Sequence, residues 1–338
     1  MKKLPSIRTE LKKGITAILQ RWQTHNADPL DVYFAYRLLL ERQPEAMGWQ
    51  NWCARVQNGL TIEMLRTSFL MSAEYRTQHD PDLRLVLVET ERFQIYVDLS
   101  DLSVSRPISQ HKQYEPHLTT FLQRELRPDM HFLDIGANIG WFTLLAASLL
   151  PDGRVIAVEP NIYNVQLLNR SLVVNQFHHV TVYPFAATDA AAILPLGFIG
   201  SNGRIQRPDE ATANQQFVQG LPLDHLLPRT TKIDVMKIDI EGYEWVAFKG
   251  MTHLLQQNRP LIVTEFHPQA IRQYTGYAPE NYLQTLFDLG YTVGVLMPDG
   301  TVRMMPDIAA IMAHWQLVNQ QAGVTDELHL DLVARPFS

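Results

Sequence analysis

The sequence predicts an α/β protein: a mostly parallel, doubly wound sheet with helices on both faces and an antiparallel ending, preceded by a small all-α module. Two patterns predict it. From Met130 onward, short runs rich in Val and Ile alternate with helical stretches, the order that builds a parallel sheet covered on both sides. Between Asp28 and Gln78 the apolar residues instead keep helical spacing, with turn signals at Pro44, Gly48 and Gly59 and no strand-like alternation.

The strands of the larger region are HFLDIG, RVIAVE, VTVYPFA, IDVMKID and PLIVTEF. Helical patterns at Trp141–Leu150, Tyr163–Val174, Tyr243–Leu255 and Glu280–Leu289 follow most of them. YTVGVLM, the turn Pro298-Asp299-Gly300 and LHLDLVAR add two final strands. VLVET and FQIYVDL read as a β-hairpin, and Tyr114-Glu115-Pro116 opens a helix that runs to about Leu126. The stretch Asp189–Thr231 is polar and loop-like, the composition of a lid or substrate-binding insertion. The expected organisation is an amphipathic helix over 1–27, a helical module over 28–80 with three or four short helices, and a large domain over 81–338. That domain holds the hairpin at 84–101 and its core at 114–338.

Composition narrows the class of function. The chain has 338 residues, 46% of them hydrophobic, enough for a sizeable core. Its formal charge is −6 with Lys and Arg scattered, so no nucleic-acid partner is expected. The only cysteine, Cys53, sits in a helical pattern and reads as packing; a reducing, cytoplasmic setting fits it. No apolar run is long enough to span a bilayer, and Met1–Trp22 lacks the apolar stretch of a secretory leader. Instead Leu4, Ile7, Leu11, Ile15, Ile18 and Trp22 recur at helical spacing among Lys and Arg. Such a helix docks on the rest of the protein, or touches the inner face of an anionic membrane through residues 1–22.

The segment from Phe34 to Arg76 resembles a small helical module related to phycobilisome linker domains. The resemblance rests on Tyr36, Arg42, Pro44, Gly48, Trp52, Phe69, Ser72, Glu74 and Tyr75. That family usually carries Gly where Glu41 stands. The resemblance implies a module appended to glycan enzymes and surface proteins, one that could bind another protein.

The strongest local signal is Phe132-Leu133-Asp134-Ile135-Gly136-Ala137-Asn138-Ile139-Gly140. An apolar strand ends in an acid, and a small-residue turn then opens a helix. Gly136 and Gly140 allow a tight turn and close approach to a ligand, and a helix N-terminus suits an anionic group. The next strand ends in Glu159, where an acid can take both hydroxyls of a ribose. The pair points to an adenosine-containing ligand. A dinucleotide fingerprint would need a glycine at Asn138, and Asp134 suits an ammonium better than a diphosphate. A methionine-bearing methyl donor therefore fits better than a nicotinamide dinucleotide.

With these residues, the chain from about Tyr114 to its end resembles the FkbM-type methyltransferases. The matching motifs are Asp134–Gly140, Val158–Asn161, Leu223-Asp224, Lys237–Glu244 and Glu265. The resemblance implies a Rossmann-like class I methyltransferase sheet and S-adenosylmethionine as cofactor. It also implies O-methylation of a hydroxyl, often on a sugar of a glycan or glycolipid. The expected cofactor-binding residues are Asp134, Gly136, Ala137, Asn138, Gly140, Glu159, Pro160, Asn161, Ala187 and Asp239. A small metabolite or a protein is the alternative acceptor; a non-enzymatic scaffold carrying a cofactor-binding domain is the alternative function.

Methyl transfer needs the acceptor oxygen held in line with the sulfonium, and a base or metal to help the hydroxyl. Strand alternation puts Lys237 and Asp239 on one face of the fourth strand, and Glu265 and His267 on one face of the fifth. These four are the catalytic candidates. Three readings stay open: His267 or Asp239 is the base; Asp239 and Glu265 hold a divalent cation, which is not favoured; or Asp239 only contacts the cofactor while Glu265 and His267 cap helices or pair. Glu244 reads as electrostatic support for a helix N-terminus, and His178 and His179 as solvated turn residues.

Overall fold

The computed structural model describes residues 26–79, 84–199, 201–206 and 216–337. The expected helix over residues 1–27 lies almost wholly outside them. Two compact units divide the chain, Met1–Leu85 and Val86–Ser338.

The described part of the first unit contains α1 (Pro29–Leu39), α2 (Ala46–Gln57), α3 (Ile62–Leu70) and α4 (Ala73–His79). Asp28 opens α1 with a capping box, and Thr61 caps α3 through the Met64 amide. The core is Val32, Tyr36, Leu65 and Phe69, with Trp52 tilted over Phe69 at 4.9 Å. Arg42 closes the module, pairing with Glu74 through Nε and Nη2 and lying 4.9 Å over the Tyr36 ring. Glu41 holds a left-handed φ of 53°, a conformation that glycine adopts more readily.

The second unit opens within the hairpin of β1 (Leu85–Glu89) and β2 (Gln94–Asp98), followed by α5 (Ser105–His111) and α6 (Pro116–Glu125). The central sheet follows. Its strands are β3 (His131–Ile135), β4 (Arg154–Val158), β5 (Val180–Tyr183), β10 (Val235–Ile238), β11 (Leu261–Phe266), β12 (Tyr291–Leu296), β13 (Val302–Met305) and β14 (Leu330–Pro336). Their order is β13-β12-β14-β11-β10-β3-β4-β5. From β5 across to β11 the pairs are parallel; β14 enters antiparallel between β11 and β12. This is the mostly parallel, doubly wound sheet with an antiparallel ending that the sequence predicts. The chain leaves β3 toward β4 and β5, then returns to β10 on its other side. That return makes a switch point at the carboxyl ends of β3 and β10, where open α/β sheets place their ligands.

Sequence and packing agree at this centre. Four of five β3 residues and all of β10 are buried, as strands covered on both faces require. Helix α7 (Trp141–Leu149) is buried along most of its length, and α8 (Ile162–Asn175) covers β2 through Ser171 and Asn175.

Three expectations are corrected. The stretch Asp189–Thr231 is not a loop: β7 (Ala192–Ile199), β8 (Asn202–Ile205) and β9 (Gln216–Leu221) join β6 (Ala186–Ala187) in a second sheet of order β6-β9-β7-β8. The Tyr243–Leu255 helix is two helices, α9 (Glu244–Lys249) and α10 (Thr252–Asn258). They part at Gly250, where a Cβ would stand 1.8 Å from the Thr188 carbonyl oxygen. Asp224 then caps α10, accepting the amides of His253 and Leu254. Helix α11 (Pro279–Asp288) follows β11, and the chain ends in three strands rather than two. The turn at Pro298–Gly300 leads into β13, and α12 (Ile308–Ala322), capped by Asp307, precedes β14.

Candidate active site

A cavity of about 370 Å³ opens at the switch point. Its lining includes Glu159 and Pro160 after β4 at one end, Lys237, Asp239, Glu265 and His267 at the ends of β10 and β11 at the other, and Gly136, Ala137 and Asn138 in the turn after β3 between them; Ala187 lines it too. All four catalytic candidates and most cofactor candidates therefore meet in one space, of the size of small-molecule sites. Asp134, Gly140 and Asn161 do not line it.

The glycine turn is built for shape. Gly136 has φ 79°, and a Cβ there would stand 1.9 Å from the Asp239 carbonyl oxygen, so only glycine lets β3 and β10 approach so closely. Gly140 has φ 97° and packs on Leu168, where a Cβ would stand 2.3 Å from Cδ1. The amides of the turn are already engaged: Gly136 and Ala137 donate to the Val158 carbonyl, Asn138 to Glu159 Oε2, and Ile139 to Asn138 Oδ1. The expected anion cradle is thus not made by these N–H groups. Asp134 is corrected for a related reason. It is fully buried and accepts the Thr143 hydroxyl at 2.6 Å, so it braces the first turn of α7 rather than facing a ligand ammonium. Burial raises its pKa, with Lys237 opposing.

Glu159 ends β4 and is 5% exposed. One oxygen accepts the Asn138 amide and the other the Asn161 amide, both at 2.8 Å. Asn164 Nδ2 also approaches Oε1 at 3.5 Å, so Oε2 is the oxygen that keeps a lone pair for a ribose hydroxyl in the cavity. Burial pushes its pKa up to about 7, and those two amides oppose the rise. Asn161 acts behind it, capping α8 through the Tyr163 amide.

At the other end, Lys237 is 4% exposed and its ammonium lies 3.1 Å from Asp239 Oδ2. Burial pulls its pKa down, but Asp239, Asp134 and Glu115 more than offset that, and the group stays protonated. Lys237 is therefore an electrostatic anchor, not a proton acceptor. Glu244 is fully buried and staples the turn after β10, accepting the amides of Ile240 and Gly242.

Glu265 Oε1 lies 3.0 Å from His329 Nδ1, while its Oε2 is buried with no hydrogen-bond partner. Burial, then Asp239 and Glu241, hold its carboxyl well above the usual range. His267 caps the short turn Pro268–Ala270, its Nδ1 accepting the Ala270 amide at 3.4 Å. Burial and His329 lower its pKa. A neutral ring that accepts at Nδ1 carries its proton on Nε2, which makes that nitrogen a donor. His267 thus caps a turn, whereas the partner of Glu265 is His329 rather than His267.

Sequence reasoning missed Tyr114, Glu115, Glu241 and His329 as wall residues. Burial and Asp239 push Glu115 and Glu241 up to about 7. Asp331, opposite Glu265 in the β11–β14 register, pairs with His117 at 2.7 Å. His179, read as solvated, is half-buried, with its ring 3.1 Å from the Ala147 carbonyl. Among the described residues, no group of three or more His, Cys, Asp or Glu side chains is placed to hold a metal ion, and no helix is long and apolar enough to cross a membrane.

Residues 134–293, just under half of the chain, match the family described as "Methyltransferase FkbM domain". The methyltransferase sdnD of Sordaria araneosa is 23% identical over 175 residues, which are 41% of this chain and 68% of that protein. Both matches support a S-adenosylmethionine-dependent methyltransferase of the FkbM type. Among solved structures, the methyltransferase FkbM from Methylobacillus flagellatus KT is 15% identical with a TM-score of 0.39; the alignment covers 91% of this chain and 60% of that one. The protein SMU.1697c from Streptococcus mutans, solved in complex with SAH, is 10% identical with a TM-score of 0.40, over 67% of this chain and 99% of that one.

Proposed function

We propose that this chain is an S-adenosylmethionine-dependent O-methyltransferase that methylates a sugar hydroxyl of a bacterial glycan or glycoconjugate. The observation that carries the reading is a single cavity with two chemically distinct ends. One end combines Glu159, a fixed acceptor for a ribose hydroxyl, with the wall of Pro160, and Ala137 and Ala187 add further apolar wall, which suits a flat ring. The other gathers carboxylates around Asp239, which favour a sulfonium and an ammonium. The donor set thus fits the cofactor; when bound, it supplies an electrophilic methyl group to a nucleophile held in line.

The chain's own residues then position the acceptor and take its proton. Asp239 and Glu265 accept hydrogen bonds from the hydroxyl. Glu265 is the proton acceptor of this reading: it lines the cavity beside Asp239, and His329, 3.0 Å from Oε1, fixes its carboxylate. The O–H proton passes to Glu265 as the new O–CH3 bond forms. His267, donating from Nε2, helps orient the acceptor.

The reading is tested by following labelled methyl transfer from S-adenosylmethionine into bacterial envelope glycans. Glu265→Gln should cut turnover by about 10²–10⁴ while leaving cofactor affinity nearly unchanged, and His267→Ala should cost less. Full turnover in Glu265→Gln with a dead His267→Ala would move the base to His267.

A further inference from the structure

The acceptor end of the cavity is more acidic than hydroxyl methylation requires. Glu115, Asp239, Glu241 and Glu265 all line it. Two cations face these four acids: Lys237, 3.1 Å from Asp239, and Arg204, which lies against Tyr274 and whose charge also reaches Glu241. Even with a sulfonium in place, the carboxylates remain in excess. Their neighbours do not relieve them, because Asp331 adds a further carboxylate beside Glu115 and Glu265 and spends its own partner, His117. Glu265 Oε2, itself out of reach of solvent, has nothing to accept from.

Buried carboxylates this close can remain ionised only beside a positive charge; without one they hold protons. Glu115 and Glu241 approach that condition: burial and Asp239 push both up to about 7, although Lys237 opposes the rise at both and Arg204 opposes it at Glu241. A divalent cation is a poor answer, since no group of three or more ligating side chains is placed to hold one among the described residues. A primary ammonium is a better one. It brings three donors to a ring of acceptors and needs no fixed coordination geometry. An anionic group would instead meet like charge in a low-dielectric space.

We propose that the acceptor carries a protonated amine close to the hydroxyl that is methylated, as in an amino sugar, and that the carboxylates around Glu265 and Glu115 select it over neutral and anionic sugars. This rests on the methyltransferase reading above.

Calorimetry on the full chain loaded with S-adenosylhomocysteine tests it, with glucosamine, glucose and glucose 6-phosphate as probes at millimolar concentrations. The expected result is saturable glucosamine binding, about tenfold or more tighter than glucose, with glucose 6-phosphate the weakest. Glu265→Gln and Glu115→Gln should each narrow the glucosamine preference while still binding S-adenosylhomocysteine, which shows the fold to be intact. Absence of glucosamine binding, equal binding of glucose, or glucose binding that appears only with added Mg²⁺ overturns the proposal. Failure to bind S-adenosylhomocysteine at all would instead remove the methyltransferase reading on which it rests.

Discussion

The Lys237 ammonium lies 3.1 Å from Asp239 Oδ2 and 3.5 Å from the Gly136 carbonyl oxygen, so one buried cation ties the end of β10 to the glycine turn after β3. Because Asp134 also feels its charge from below, Lys237 is the counter-charge of the whole switch point.

Lys237→Met keeps much of the volume but strands both carboxylates. Removing one member of a buried ion pair costs several kcal/mol, because the remaining charge is left uncompensated. The variant should lose about 3 kcal/mol in urea unfolding. A loss below about 1 kcal/mol, within the range of a surface change, would contradict the anchoring role.

Gly136→Ala should be harmful for a reason independent of charge. The new methyl group would need a φ of 79° and would stand 1.9 Å from the Asp239 carbonyl oxygen. Strain and clash together should cost about 3 kcal/mol or more. Thermal melting and cofactor titration should fall together; an unchanged melting temperature would show that the strands tolerate separation.

Stability should also depend on pH through the buried acids. Glu115, Glu159, Glu241 and Glu244 have an ordinary value of 4.5 and are pushed up to about 7 by burial. Below 4.5 they are protonated in folded and unfolded chains alike. As pH rises toward 7 the unfolded chain ionises first and the folded chain binds more protons, so stability is lost across that window. Melting temperatures at about pH 5 and about pH 8 should differ less in Glu241→Gln than in the unsubstituted chain. An identical difference would contradict the shift at Glu241.

How much of this was legible in sequence depended on chain distance. The β3 turn and Glu159 were readable because strand, acid and glycines are consecutive or lie on successive strands. Alternation also placed Lys237, Asp239, Glu265 and His267 together, since a short strand fixes which side chains share a face. Glu115 and His329 were not readable: they arrive from a helix start and a strand start remote in the chain, and only folding brings them to the cavity that Glu265 lines. At Asp134 the motif shows an acid before a turn but not that Thr143, nine residues later in the first turn of α7, donates to its Oδ2. The strands of the second sheet escaped notice because Pro195 and Gly197 interrupt β7 and polar residues dominate β9, which weakens the alternation that marks a strand. Helix α12 was overlooked between two strong strand signals, although Asp307 stands at its cap.

The central claim is that the cavity holds an adenosyl-methionine-type cofactor with its ribose on Glu159. Calorimetric titration of the full chain with S-adenosylhomocysteine tests it most directly. The predicted result is one site of roughly micromolar affinity or better. Glu159→Ala should weaken it by about 1.5–3 kcal/mol, the scale of lost charge-assisted hydrogen bonds. Asn161→Ala, which touches only the α8 cap, should change it little. Binding of a nicotinamide dinucleotide with no binding of S-adenosylhomocysteine or S-adenosylmethionine would contradict the account.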